Sequence, residues 1–130
     1  MWQSYPAKSF QDAGTVIMRW VWPIGVLHAL VGTALLFLSL HPLRDALDQH
    51  ALELVRAGST LETLQGLALM LIARTKTALA AVLIAAGTTI WAAMLYFIAF
   101  TGQHPLDLVV PVGGFVMLLG WVVLLLRQAD

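Results

Sequence analysis

Three stretches of the chain, Trp20 to Leu40, Thr77 to Phe100 and Leu108 to Leu126, contain no Lys, Arg, Asp or Glu. Each meets the length of roughly 20 apolar residues that a helix needs to cross a hydrocarbon core about 30 Å thick. A further apolar run, Thr63 to Ala73, rises only about 16 Å at about 1.5 Å per residue. To span, it must extend backwards through Glu62 to about Ala57, and it then carries a carboxyl group into the membrane. The expected fold is all-α, a four-helix transmembrane bundle forming one membrane domain over residues 1–130. Its spans are expected at about 18–40, 57–74, 77–100 and 107–127.

Composition excludes several classes. At 60% hydrophobic and 11% charged residues, with a mean hydropathy of +0.85, the chain lies outside the range of a soluble globular domain. Seven basic and seven acidic residues cancel, so no nucleic-acid partner and no polybasic lipid-binding surface is expected. The absence of cysteine removes disulfides, thiolate metal sites and covalent haem attachment. The first apolar segment is too long for a signal-peptide core and is followed by no small-residue cleavage site, so it reads as a retained span. Lys8, Arg19, Arg74, Lys76 and Arg127 fall on one side of a four-span arrangement. Arg44 and Arg56 fall on the other, among Asp45, Asp48 and Glu53. The positive-inside rule then places both termini in the cytoplasm. Trp2, Tyr5, Trp20 and Trp22 fit an interfacial aromatic belt near the first entry.

Between the first two spans the pattern changes. Leu43, Ala46, Leu47, Ala51, Leu54 and Val55 recur at helical spacing, opposite Arg44, Asp45, Asp48, Gln49, Glu53 and Arg56. This predicts an amphipathic interfacial helix over about residues 42–57, opened by Pro42 and ending near Gly58-Ser59-Thr60. Glu62 then has two readings. It completes a capping box with Ser59 at the start of the second span, or it is an intramembrane ionisable group, which is a functional candidate by default.

Small residues mark the helix-packing faces. Gly25, Ala29 and Thr33 repeat every four residues in the first span, with Gly32 beside them. The third span carries Gly87, and the fourth carries Gly113, Gly114 and Gly120 behind Pro111. In lipid such residues let helix backbones approach closely. The second span, with Gly66, Ala68 and Ala73, declares its packing face less clearly. His28, between Gly25 and Gly32, faces the packed side of the first span.

The run Gly87-Thr88-Thr89-Ile90-Trp91-Ala92-Ala93-Met94-Leu95-Tyr96, followed by Val110-Pro111-Val112-Gly113-Gly114-Phe115 and Leu119-Gly120-Trp121, resembles the DUF423 family of small bacterial inner-membrane proteins. That family is similar to the transmembrane protein 256 group. The resemblance is good over roughly the last 45 residues and partial upstream. There, Leu38 to Leu43 keeps the family's His as His41, and Leu61 to Gln65 places Gln65 where the family has a second His. The resemblance implies a four-helix protein of the bacterial inner (plasma) membrane and no agreed biochemical activity.

Few residues are left to carry chemistry. His41, His50 and His104 fall on the non-cytoplasmic side, near several carboxylates. Such groups are potential zinc or copper ligands, but the spacing does not bring them onto one helical face. His28 is the one histidine deep in a span and the candidate haem ligand, although a bis-His site needs a partner's second ligand. Glu62 and Gln65 are one turn apart, with His41 expected at the same membrane level, and form a candidate polar or ion site. No triad spacing, phosphate-binding loop or paired carboxylate set points to an enzyme, and no cofactor is expected. The sequence therefore reads as an accessory or structural subunit, packing in the bilayer against itself as a homo-oligomer or against a larger membrane complex. The alternatives are a small carrier or channel component using Glu62 and His28, and a metal- or haem-binding membrane anchor.

Overall fold

The computed structural model describes residues 7–104 and 107–128, and side chains over residues 11–104 and 107–127. Trp2 and Tyr5 of the expected aromatic belt lie outside the described residues, as does the side chain of Lys8. Five α-helices follow one another: α1 (Ala7–Leu40), α2 (Pro42–Ala46), α3 (Gln49–Ile72), α4 (Ala78–Thr101) and α5 (Val109–Gln128). Three regions, Gln11–Leu40, Ala78–Thr101 and Val109–Arg127, are long and apolar enough to cross a membrane. α3 equals α4 in length but carries Glu53, Arg56, Glu62 and Gln65. The first candidate span sits in a helix that continues through Pro23. At 34 residues, α1 is about 50 Å long, well beyond what a bilayer core requires.

The exterior is far more apolar than that of a water-soluble bundle. Leu71 and Leu125 are each 72% exposed and Phe115 is 69% exposed, whereas Ser39, Ser59 and Thr88 are completely buried, and His28, Glu62 and Gln65 nearly so. An apolar exterior of this extent calls for a non-aqueous surround. The core is mainly apolar but also encloses these polar groups, so close packing and interhelical hydrogen bonds both hold the helices together.

α3 is the central element, packed between α1 and α4, while α5 lies against α4 and α1 touches α4 more lightly. Glycines set the two tightest pairings. A Cβ on Gly66 would fall 2.5 Å from the Ala29 amide and 2.6 Å from the Gly25 carbonyl oxygen. A Cβ on Gly25 would meet the Gly66 carbonyl oxygen at 2.7 Å, and Gly32 abuts Ser59 and Thr63. The α1–α3 seam is therefore backbone on backbone. Gly87 abuts Gly113 and Met117 in the same way, and Gly120 abuts Ile84 and Ala80. Two apolar clusters complete the core. Val21, Leu69, Ile72, Ala81 and Ile84 gather at one end, and Ala51, Val55 and Ala99 at the other.

Three expectations are corrected. The amphipathic stretch is not one interfacial helix over 42–57: the chain turns extended at Leu47, and Asp48 caps α3 by accepting the Ala51 amide at 2.8 Å. Residues 49–57 thus open α3 itself, and the apolar face packs as expected, with Leu43, Leu47 and Leu54 against the second cluster. Thr33 faces outward, so Gly32 rather than Thr33 continues the packed stripe. Gly114 is no close-approach residue, since a Cβ there would lie 3.7 Å from Trp91, an ordinary contact. Gly66, from the span with the least evident packing face, lies at the closest approach to α1.

Gly66→Leu should therefore force α1 from α3 and destabilise the protein by about 1–3 kcal/mol, whereas Gly114→Ala should be close to neutral. Unfolding in mild detergent, followed by far-UV circular dichroism, distinguishes the two.

Candidate functional site

His28 and Glu62 sit within the glycine seam that brings α1 onto α3. His28 lies between Gly25 and Gly32, and Glu62 between Gly58 and Gly66, each about one turn from its glycines. The close approach leaves the imidazole and the carboxyl group facing each other, with Nδ1 2.8 Å from Oε1. The residues are 8% and 5% exposed, so water screens the pair little. Tyr96 of α4 reaches the same carboxyl group because Gly58, one turn before Glu62, leaves room for its ring: a Cβ at Gly58 would lie 2.9 Å from Tyr96 Cε1. The phenol then donates to Glu62 Oε2 at 2.5 Å, within the range of strong hydroxyl–carboxylate bonds.

The far side of the imidazole is also engaged. His28 Nε2 is 3.1 Å from Thr89 Oγ1, and Thr89 donates its single hydroxyl proton to the Ala85 carbonyl oxygen at 2.7 Å. Thr89 therefore accepts from His28, and Nε2 carries a hydrogen. One further proton is needed to make the 2.8 Å contact between Nδ1 and Oε1 a hydrogen bond. Placed on Nδ1 it gives an imidazolium–carboxylate pair, and placed on Oε1 it gives a neutral acid–imidazole pair. Tyr96 donates to Oε2 in both arrangements, and the net charge is zero in both. The heavy-atom geometry thus accommodates one proton in two positions. Removing that proton sets the Nδ1 lone pair against a carboxylate oxygen and abolishes the bond.

The cluster continues into the last helix. Trp121 Nε1 donates to Gln65 Oε1 at 3.0 Å, so polar contacts join α1, α3, α4 and α5. At one end of the bundle Arg56 donates from Nη2 to the Ser39 carbonyl oxygen at 3.2 Å. This places a cation at the C-terminus of α1, where the helix exposes its unpaired carbonyls.

The sequence-derived candidates separate accordingly. Glu62 and His28, both residues of the carrier alternative, come together. Gln65 lies beside them but bonds Trp121. His41 does not join them: it is exposed, stacks on Phe37 at a centroid distance of 4.9 Å and lies 3.3 Å from the Phe37 carbonyl oxygen. His50 and His104 are exposed as well, and His104 lies 3.3 Å from Asp107. Among the described residues no group of three or more His, Cys, Asp or Glu is placed to hold a metal ion. Both ring nitrogens of His28 are occupied, so haem ligation would break one of its hydrogen bonds. The capping-box reading of Glu62 does not hold, because α3 starts at Gln49 and Ser59 is internal to it. Ser59 instead donates to the Arg56 carbonyl oxygen, and Thr63 to the Ser59 carbonyl oxygen.

Tyr96, Thr89 and Trp121 were not singled out as site residues. One signal was present: Thr89 and Tyr96 are seven residues apart and so share a face of α4, two turns from one another.

The family model described as Protein of unknown function (DUF423) matches residues 37–114, and the chain belongs to that family. The matched stretch contains Glu62, Gln65, Thr89 and Tyr96, while His28 and Trp121 lie outside it. No curated protein and no solved structure matches the chain.

Tyr96→Phe should cost about 0.5–2 kcal/mol, the usual range for an interhelical hydrogen bond in a membrane bundle. Combined with Glu62→Gln the losses should be non-additive, because both changes act on one bond. A double-mutant cycle on unfolding in micelles measures this coupling, and strict additivity would mean the phenol and the carboxyl group do not interact.

Proposed function

We propose that this DUF423 protein is a four-span protein of the bacterial inner membrane, with both termini in the cytoplasm, whose working element is an intramembrane proton-binding site. α3 supports the fourth crossing: it lies between two helices that are themselves long and apolar enough to span. Its 24 residues give about 36 Å, and its polar residues Ser59, Glu62 and Gln65 all turn inward.

The single observation that carries the proton reading is the contact between His28 and Glu62, 2.8 Å long and buried, with every outer partner already assigned. Ionisable groups at membrane depth mark proton or ion pathways more often than simple packing does. Here the proton completes the hydrogen bond between His28 of α1 and Glu62 of α3, and its departure breaks that bond. Proton occupancy is thereby coupled to helix packing, the element a small carrier or channel component requires. No covalent chemistry is assigned to the cluster, and the protein is read as a non-enzyme.

The test uses proteoliposomes with a trapped pH-sensitive dye and an external acid step. The wild type should dissipate the gradient faster than protein-free vesicles. Glu62→Gln should fall to the protein-free rate while keeping its helical circular dichroism. A wild type no faster than empty vesicles would sink the reading and leave the cluster as a fastener between helices.

A second reading, the accessory subunit, is favoured by the outward face of α4. Ala86, Thr89 and Ala93 follow one another there in helical register and are exposed, a surface shaped for another helix. Thr89 belongs to both the cluster and this face, so a docked partner would touch the proton site directly. Native mass spectrometry after gentle extraction should then show a homo-oligomer or a larger complex, and replacing Ala86 and Ala93 by Leu should disperse it. A monomer with no co-purifying chain would remove this reading.

A further inference from the structure

At the end of the bundle opposite α2, where the N-terminal part of α1 and the C-terminal part of α5 flank the turn between α3 and α4, lies an open cavity of about 1000 Å³. Among the described residues, three cations from three separate elements line it: Arg19 from α1, Lys76 from the turn and Arg127 from α5. No described acidic residue lines it, and none of the three cations pairs with a described carboxylate. Gln11, Thr15 and Thr75 add neutral polar groups, and Met18 and Leu79 make part of the wall apolar.

Three like charges around one cavity repel each other, and each loses some hydration to its walls, so the arrangement gains from an anion placed among them. The first turn of α4 adds to the same field. Ala78 and Leu79 line the cavity, and the preceding Thr77 makes no side-chain cap, its hydroxyl donating instead to that of Thr75 at 2.5 Å. The leading amides of α4 are thus left for an external acceptor. The mixed lining distinguishes between anions. A free inorganic ion has no use for Met18 and Leu79, whereas a phospholipid sets its phosphate among the cations and its glycerol and upper acyl carbons against the apolar wall. The cavity is also placed at the rim of the apolar zone, since Arg19 and Arg127 flank the charge-free stretches of α1 and α5.

We propose that this cavity binds the headgroup of an anionic phospholipid, with the phosphodiester held by Arg19, Lys76 and Arg127. The site is separate from the His28–Glu62 cluster and does not depend on the proton reading. Occupied, it ties α1 to α5, two helices that make at most a glancing contact with each other. Each cation near an anionic surface adds to the attraction, and the three together set a preference of at least about tenfold after screening by salt.

The test is native mass spectrometry of the full chain in a neutral detergent, titrated in parallel with phosphatidylglycerol, phosphatidylcholine and inorganic phosphate, with thermal unfolding followed on the same samples. Phosphatidylglycerol should bind at least about tenfold more tightly than phosphatidylcholine, raise the unfolding temperature, and weaken as salt is added. Replacing Arg19, Lys76 and Arg127 together by Gln should abolish the preference. Arg74→Gln should leave it unchanged, because Arg74 is in the same turn but does not line the cavity. Equal binding of the two lipids, or a preference that survives the triple substitution, would overturn the proposal. Protection by inorganic phosphate equal to that by phosphatidylglycerol would overturn the assignment to lipid and make the site one for a soluble anion. Should the triple variant fail to fold, Lys76→Gln alone, in the exposed turn, should still reduce the preference several-fold.

Discussion

A carboxyl group held away from water is costly unless each of its oxygens finds a hydrogen-bond partner, and Glu62 meets that demand with one partner from each of two other helices. His28 reaches Oε1 from α1, and Tyr96 reaches Oε2 from α4. Because both partners must arrive at fixed points, the carboxyl group specifies the rotation and axial register of three helices at once. A shift of α1 by one turn would carry His28 about 5.4 Å from its place and leave Oε1 of Glu62 and Nδ1 of His28 without each other. Aliphatic side chains discriminate far less between registers, since they pack almost as well one turn away.

The glycines make this polar centre reachable. An imidazole and a carboxyl group on facing helices meet at hydrogen-bond distance only if the axes are close, and Gly25, Gly32 and Gly66 supply that closeness. Gly58 does a different job, opening a recess for an aromatic ring whose hydroxyl would otherwise stop short. The Gly-Trp pair at the end of the chain divides its labour in the same manner: Gly120 admits Ile84, and Trp121 sends its indole N–H to Gln65. Residues that read as packing motifs in the sequence are thus the scaffold that aims the polar ones.

Much of the helical layout was legible in the sequence, because the absence of charge over some 20 residues leaves the backbone few alternatives. The apolar face of residues 43–55 was legible too, since its periodicity is local. The break at Leu47–Asp48 was not. Ser59-x-x-Glu62 and Asp48-x-x-Ala51 are both acceptable helix starts by themselves, and the choice between them is made by Ala51 and Val55 packing against Ala99 of a helix that follows in sequence. Glu62 and His28 were each visible as unusual, yet their pairing depends on the seam through Gly66, which periodicity did not single out. Tyr96 was hidden for another reason. Near the end of a span a tyrosine passes for an interfacial anchor, and only the recess at Gly58 turns it inward.

The close backbone seams join α1 to α3 and α4 to α5, each a pair of helices adjacent in the chain once the short α2 is set aside. Between the pairs the bonds are made by side chains. Biosynthesis delivers the pairs in that order, so the first hairpin can close on its own glycines before the second exists. During that interval Glu62 has His28 but neither Tyr96 nor the cover of α4. Arrival of the second hairpin therefore does more than add two helices: it covers the carboxyl group and supplies the partner of its second oxygen.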